Sequence, residues 1–146
     1  MFGKTDIAEK YILSKDAAKN ELKKMLDYYE IDIDEIEDKD LKRAIMQGYD
    51  RLIKAVRLGR LEIKLESGIQ VIQYRRADED KSDPIIYREI DGVAKSEMAG
   101  KAADDNYGKA YALMGSLSGL GEGAIKKLKS VDLSLAEVLG LIFLSV

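Results

Sequence analysis

"LEIKLESGIQVIQYR", residues 61–75, sets this chain apart from an all-helical protein. Apolar and charged side chains alternate over residues 61–66, which is the period of a half-buried β-strand. Ser67-Gly68 indicates a tight turn, and "IQVIQYR" is typical of a returning strand. In that second strand the apolar positions slip from 69 and 71 to 72 and 74. The slip indicates either a bulge or burial on both faces of the strand.

Helical periodicity lies on both sides of these strands. Residues 6–30 predict one or two helices, with Ser14 or Asp16 as the start of a second piece, and residues 41–56 predict an amphipathic helix that ends near Gly59. A third strand is predicted at "IIYREI", residues 85–90. Beyond it we expect a helix over 93–118, a short helix near 122–129 and a last helix from about residue 134.

The fold class that follows is α+β, mostly helical, with a small three-stranded antiparallel meander at about residues 61–90. With 146 residues, of which 46% are hydrophobic, we expect a single domain over 1–146. Its parts are an N-terminal helical part (1–59), the β-meander (60–92) and a C-terminal helical part (93–146).

The composition argues against several classes of function. The chain contains neither cysteine nor histidine, so thiolate zinc sites, disulfides and Ser-His or Cys-His catalysis are excluded. A formal net charge of −3 disfavours general nucleic-acid binding. The longest apolar run, residues 138–146, is shorter than the roughly 20 residues that span a bilayer, and no secretory signal opens the chain. We therefore expect a cytoplasmic, non-enzymatic protein without cofactor, metal, membrane or nucleic-acid binding.

Three motifs have a chemical and a structural interpretation. Residues 119–124 fit G-x-G-x-x-G/A, but a predicted helix precedes them where a dinucleotide site needs a strand, so a turn is favoured. Residues 78–89 have part of a calcium-loop spacing, but Asp83 replaces the essential glycine. The basic residues of 51–60 recur at steps of three along one helix, where a solvated face is favoured over nucleic-acid contact.

The last predicted helix is apolar nearly all round beyond Glu137. Such a helix is either buried deeply or meets a partner, and the sequence leaves both open. Exposure would make part of it a docking or self-association face.

The C-terminal third, "YALMGSLSGLGEGAIKKLKSVDLSLAEVLGLIFL" (111–144), resembles the end of phage tail assembly chaperones, and a looser similarity extends over residues 60–146. In that family a helix leads into an "LSGL" turn, a short helix ending in "KL", an Asp-containing turn and a last apolar helix. Gly121 stands where the family often has proline. The positions that match are Leu117, Ser118, Gly119, Leu120, Leu128, Asp132, Leu133 and Leu139.

The resemblance implies a phage or prophage protein that binds the tape measure protein, keeps it soluble and assists tail tube assembly in the host cytoplasm. It implies no catalysis, and we expect self-association through the same face. The alternatives are a structural tail or neck component retained in the virion, and a helical adaptor or regulator unrelated to phage. The residues predicted to hold a partner helix are Leu117, Leu120, Ile125, Leu128, Leu139 and Phe143.

Overall fold

A computed structural model of the chain describes residues 11–76 and 83–146. Over these ranges six α-helices accompany a three-stranded antiparallel sheet, which confirms the predicted α+β class. The helices are α1 (Lys15–Tyr28), α2 (Lys39–Arg57), α3 (Gly92–Ser96), α4 (Asn106–Ser118), α5 (Glu122–Lys126) and α6 (Ser130–Phe143). A 3₁₀ turn at Ile33–Glu35 lies between α1 and α2, and the strands are β1 (Leu61–Lys64), β2 (Gln70–Gln73) and β3 (Ile85–Tyr87).

The two N-terminal helices begin at polar caps. The Ser14 hydroxyl accepts the backbone N–H of Ala17 at 3.1 Å, so the break predicted at residues 14–16 is the start of α1. Asp38 caps α2 in the same way, and Gly59, with φ +75°, follows its last turn as predicted. The part of the predicted first helix before residue 11 lies outside the described residues.

The sheet has the order β1-β2-β3 with a continuous register. Leu61 lies opposite Gln73 and Lys64 opposite Gln70, so the pairing contains no bulge. Residues 71–73 are all buried, and burial on both faces therefore explains the slip in the apolar pattern of β2. The connection over 65–69 is longer than the tight turn predicted at Ser67-Gly68, and both of those residues have positive φ.

The C-terminal helical part differs from its prediction at two places. The helix expected over 93–118 is divided into α3 and α4, because Gly100 has φ +93° and Asp105 caps a new helix by accepting the N–H of Gly108 at 2.9 Å. The last helix begins at Ser130 and not near residue 134. The predicted cap, Ser134 with Glu137, is therefore inside α6.

The core is a single cluster to which helices and sheet both contribute, and α6 packs against both α2 and α4. Close approach depends on glycine: a Cβ on Gly48 of α2 would collide with Val138, and one on Gly140 would lie 2.8 Å from the Cβ of Ala110 in α4. Across the described residues, no helix combines the length and apolar character that crossing a membrane requires.

Candidate functional site

The six residues predicted to hold a partner do not form one exposed face. Four of them are buried, each with 2% or less of its surface exposed, and a fifth, Leu128, is partly buried. Only Leu120 is open to solvent, at 48% exposure. The four buried side chains are those of Leu117, Ile125, Leu139 and Phe143.

The physical reason is the position of α6. Its apolar surface is covered from two directions by α2 and α4. The Phe143 ring also contacts the ring of Tyr29, the residue that follows α1, edge to face at 5.4 Å between centroids. The alternative left open for this helix, deep burial, is therefore the observed one. A partner could reach these side chains only if α6 moved away from its neighbours.

The turn between α4 and α5 presents Leu120 to solvent. Gly119 and Gly121 have φ values of +72° and +92°, and the N–H of Gly121 donates to the carbonyl of Gly115 at 3.0 Å. A Cβ on Gly115 would collide with the backbone of residues 121–122. The glycines of the "SGLGEG" motif thus form a tight helix–helix turn, as predicted, and follow a helix where a dinucleotide site needs a strand.

Large apolar side chains are exposed elsewhere as well. They come from α1, α2, α3, α4, the sheet and the loops, and they supply apolar contact area on the surface. Besides Leu120, the exposed residues of this type within the described ranges are Ile12, Tyr28, Met46, Leu65, Tyr74, Ile86, Val93 and Tyr107.

A basic cavity of about 580 Å³ lies where the end of α2 approaches the ends of the strands and the first turns of α6. Four of its lining residues are cationic, two carry hydroxyls and three are apolar, and none of the described lining residues is acidic. The lining residues are Arg51, Lys54, Ala55, Leu58, Arg60, Arg76, Ser130, Val131 and Ser134.

This cavity divides the basic stripe predicted over residues 51–60. Arg51, Lys54 and Arg60 line it, although Arg60 lies beyond the end of α2. Arg57 points elsewhere: its Nε donates to the carbonyl of Leu13 at 3.2 Å, and its guanidinium lies 3.9 Å from the ring centroid of Tyr11. Arg57 therefore binds the segment before α1 and does not line the cavity. Only the other three basic residues of the stripe lie at the cavity.

A buried network of hydrogen bonds holds the wall of the cavity in place. The Tyr87 hydroxyl donates to Gln73 Oε1 at 2.8 Å, and Gln73 Nε2 donates to the main-chain carbonyl of Asp132 at 2.8 Å. The Asp132 carboxylate accepts the backbone N–H of Arg76 at 3.0 and 3.2 Å. Burial raises the pKa of Tyr87, so the hydroxyl remains a donor over the ordinary pH range. This hydrogen-bond network joins β3, β2 and the first turn of α6. Its last bond fixes the position of the Arg76 backbone beside the cavity.

In residues 11–76 and 83–146, no group of three or more aspartate or glutamate side chains is placed to bind a metal ion. The first five positions of the calcium-like spacing over 78–89, residues 78–82, lie outside the described ranges. Comparison of the chain with protein-family models, with curated proteins and with solved structures finds no match.

Sequence reasoning missed the cavity because its residues come from three separate stretches of the chain, 51–60, residue 76 and 130–134. Two signals were present, the basic spacing over 51–60 and the Arg75-Arg76 pair after the second strand. Neither signal shows that Arg60 and Arg76 lie at the same cavity. That proximity follows from the sheet, since the N–H of Tyr74 donates to the carbonyl of Arg60 at 2.8 Å.

Proposed function

We propose that this protein is a non-enzymatic phage tail assembly chaperone, which binds the tape measure protein and assists assembly of the tail tube. The sequence resemblance over residues 111–144 is the observation that carries the proposal. The absence of histidine and cysteine from the chain supports a binding role over catalysis.

The order of elements in this segment supports the proposal. The pattern of helix, "LSGL" turn, short helix, Asp-containing turn and apolar helix corresponds to α4, the glycine turn, α5, the segment around Asp132 and α6. Asp132 itself lies in the first turn of α6. The order of the helices supports the proposal, although the "VDLS" residues lie within α6 and not in a separate turn before it.

The proposed contact surface is the exposed apolar side chain of Leu120 and the turn that presents it. An amphipathic helix of a partner is recognised through apolar anchors that enter gaps between side chains, and an exposed leucine on a glycine-rich turn is accessible to such a helix. The buried members of the predicted set belong to the core of the fold. Self-association and residence in the host cytoplasm belong to the same proposal.

Co-expression with the tape measure protein encoded in the same gene cluster tests the proposal. We expect the tape measure protein to become soluble and to elute with this chain from a sizing column. Leu120→Asp should abolish that complex, whereas Met46→Asp, an equally exposed apolar residue on α2, should preserve it. A tape measure protein that stays insoluble beside the wild-type chain would refute the proposal.

Mass spectrometry of purified virions separates the chaperone from the structural alternative. A chaperone leaves before the particle is complete, so we expect no peptide of this chain in mature virions. Peptides present at the copy number of a tail or neck protein would favour the structural component. A gene that lies outside any tail cluster would favour an adaptor unrelated to phage.

A further inference from the structure

The basic cavity concentrates positive charge in a chain whose formal net charge is −3. Arg51 and Lys54 lie one turn apart on the same side of α2, and Arg60 and Arg76 are brought beside them by the sheet. Among the described residues, no carboxylate forms an ion pair with any of these four cations. A cluster of four cations attracts anions from solution.

The start of α6 adds hydrogen-bond donors to the lining of the cavity. Ser130 and Val131 line the cavity, and their backbone N–H groups find no acceptor in the part of the chain that the structure describes. Lys129, which precedes them, supplies no side-chain cap. The hydroxyl of Ser134 adds a further donor, while the Asp132 carboxylate is buried and turned toward the Arg76 N–H. Cations and amide donors together are the groups that bind phosphoryl oxygens.

The rest of the lining is apolar. Ala55, Leu58 and Val131 provide carbon surface between the cations, so the cavity suits a molecule with an apolar or aromatic body beside its charged group. A volume of about 580 Å³ lies in the range of small-molecule sites, roughly 300–1,000 Å³, and is far larger than a lone phosphate ion requires.

We propose that the basic cavity binds a small organic phosphate that carries two or more negative charges, of the class of nucleoside diphosphates. Its phosphoryl oxygens contact Arg51, Lys54 and Arg76 and the amides of Ser130 and Val131, and its organic part covers the apolar residues. The site is separate from the Leu120 turn, and the proposal does not depend on the chaperone function.

Isothermal titration of the full chain with ADP, pyrophosphate, adenosine and citrate tests the site. We expect saturable binding of ADP with one site per chain, competition by pyrophosphate, and neither adenosine nor citrate binding comparably. The affinity should fall as salt is added, because the four cations are partly exposed. The double variant R51Q/K54Q should weaken ADP binding by roughly tenfold or more, because it removes two charge-assisted hydrogen bonds.

A matched double variant, K19Q/K39Q, removes the same charge from exposed positions outside the cavity and should leave the ADP affinity unchanged. Arg76→Gln gives an independent loss from another element, and circular dichroism shows that each variant is folded. The proposal is overturned if ADP and pyrophosphate do not bind saturably, or if both double variants weaken binding equally. Citrate binding as tight as ADP, or binding of a poly-glutamate peptide without binding of phosphates, would also overturn it.

Discussion

Gln73 donates its side-chain amide to the main-chain carbonyl of Asp132 across 2.8 Å and joins the central strand to the first turn of α6. Its Oε1 accepts the hydroxyl of Tyr87, so one buried amide is bonded at both ends. Gln73 is fully buried, and apart from Asp132 it is the only buried polar residue within the described ranges. A buried amide that is bonded through both its oxygen and its nitrogen favours one arrangement of the sheet against α6.

Replacing this amide tests its importance. Gln73→Leu should lower the free energy of unfolding by roughly 2–4 kcal/mol, because the Tyr87 hydroxyl and the Asp132 carbonyl both lose their buried partner. Urea unfolding measures the change. Gln70→Leu, at the exposed start of the same strand, should stay within about 0.5 kcal/mol of the wild type. If both variants lower the free energy of unfolding equally, the hydrogen bonds of Gln73 do not stabilise the fold beyond the effect of a leucine in this strand.

Much of the fold was predictable because local patterns decided it. Apolar and charged side chains alternate over 61–66, and apolar side chains recur at helical spacing over 41–56. These patterns and the polar caps predict elements whose boundaries depend on neighbouring residues. The prediction for the last helix was wrong because distant contacts decide where that helix starts. The start of α6 at Ser130 is held by bonds from Gln73 and Arg76, which lie more than 50 positions away. No local pattern reports such bonds.

The candidate sites were harder to predict for the same reason. An apolar helix has the same sequence whether a partner or its own fold covers it, and only the packing on α2 and α4 shows that Leu139 and Phe143 are inside. The basic cavity needs the sheet register and the start of α6 together. Its cationic lining was visible in the sequence only as separate cations at 51–60 and at residue 76.

Gly140 is predicted to be required for the contact between α6 and α4. Gly140→Ala should destabilise the protein by about 1–3 kcal/mol, because the new Cβ would lie 2.8 Å from the Cβ of Ala110, and this outweighs the better helix propensity of alanine. Gly123→Ala on α5 meets no atom within 4 Å and should be neutral or slightly stabilising. Thermal unfolding of both variants, and of G140A with Ala110→Gly as a rescue, checks the prediction. A neutral G140A would contradict it.

Asp38 is predicted to stabilise α2 through its cap. Its carboxylate accepts the N–H groups of Asp40 and Leu41 at 3.0 and 3.1 Å, so Asp38→Ala should cost about 1 kcal/mol in the free energy of unfolding. Asp38→Asn keeps an acceptor and should retain most of the stability. Glu37→Ala removes a neighbouring exposed acid that makes no bond within the described residues, and it is the control. The cap assignment fails if E37A and D38A unfold at the same urea concentration.

Because the pKa of Tyr29 is raised in the folded protein, we expect the free energy of unfolding to fall at alkaline pH. Burial against the Phe143 ring is the main cause that raises the Tyr29 pKa from 10.0 to about 12, while the N–H of Ile90, which donates to the hydroxyl at 3.2 Å, acts in the opposite direction. Because the folded pKa lies above the unfolded one, the folded protein binds more protons between pH 10 and 12. This contribution is complete below pH 10 and disappears as the pH rises through 12.

The variant that isolates this effect is Tyr29→Phe, which keeps the ring and removes the ionisable group. At neutral pH it should lose only about 1 kcal/mol, the worth of the hydrogen bond from Ile90. Between pH 10 and 12 the free energy of unfolding of the wild type should fall more steeply than that of the variant, so that the wild type loses its advantage over the variant. Urea unfolding across this range measures both curves. Parallel curves would show that the tyrosine ionises equally in the folded and unfolded chains.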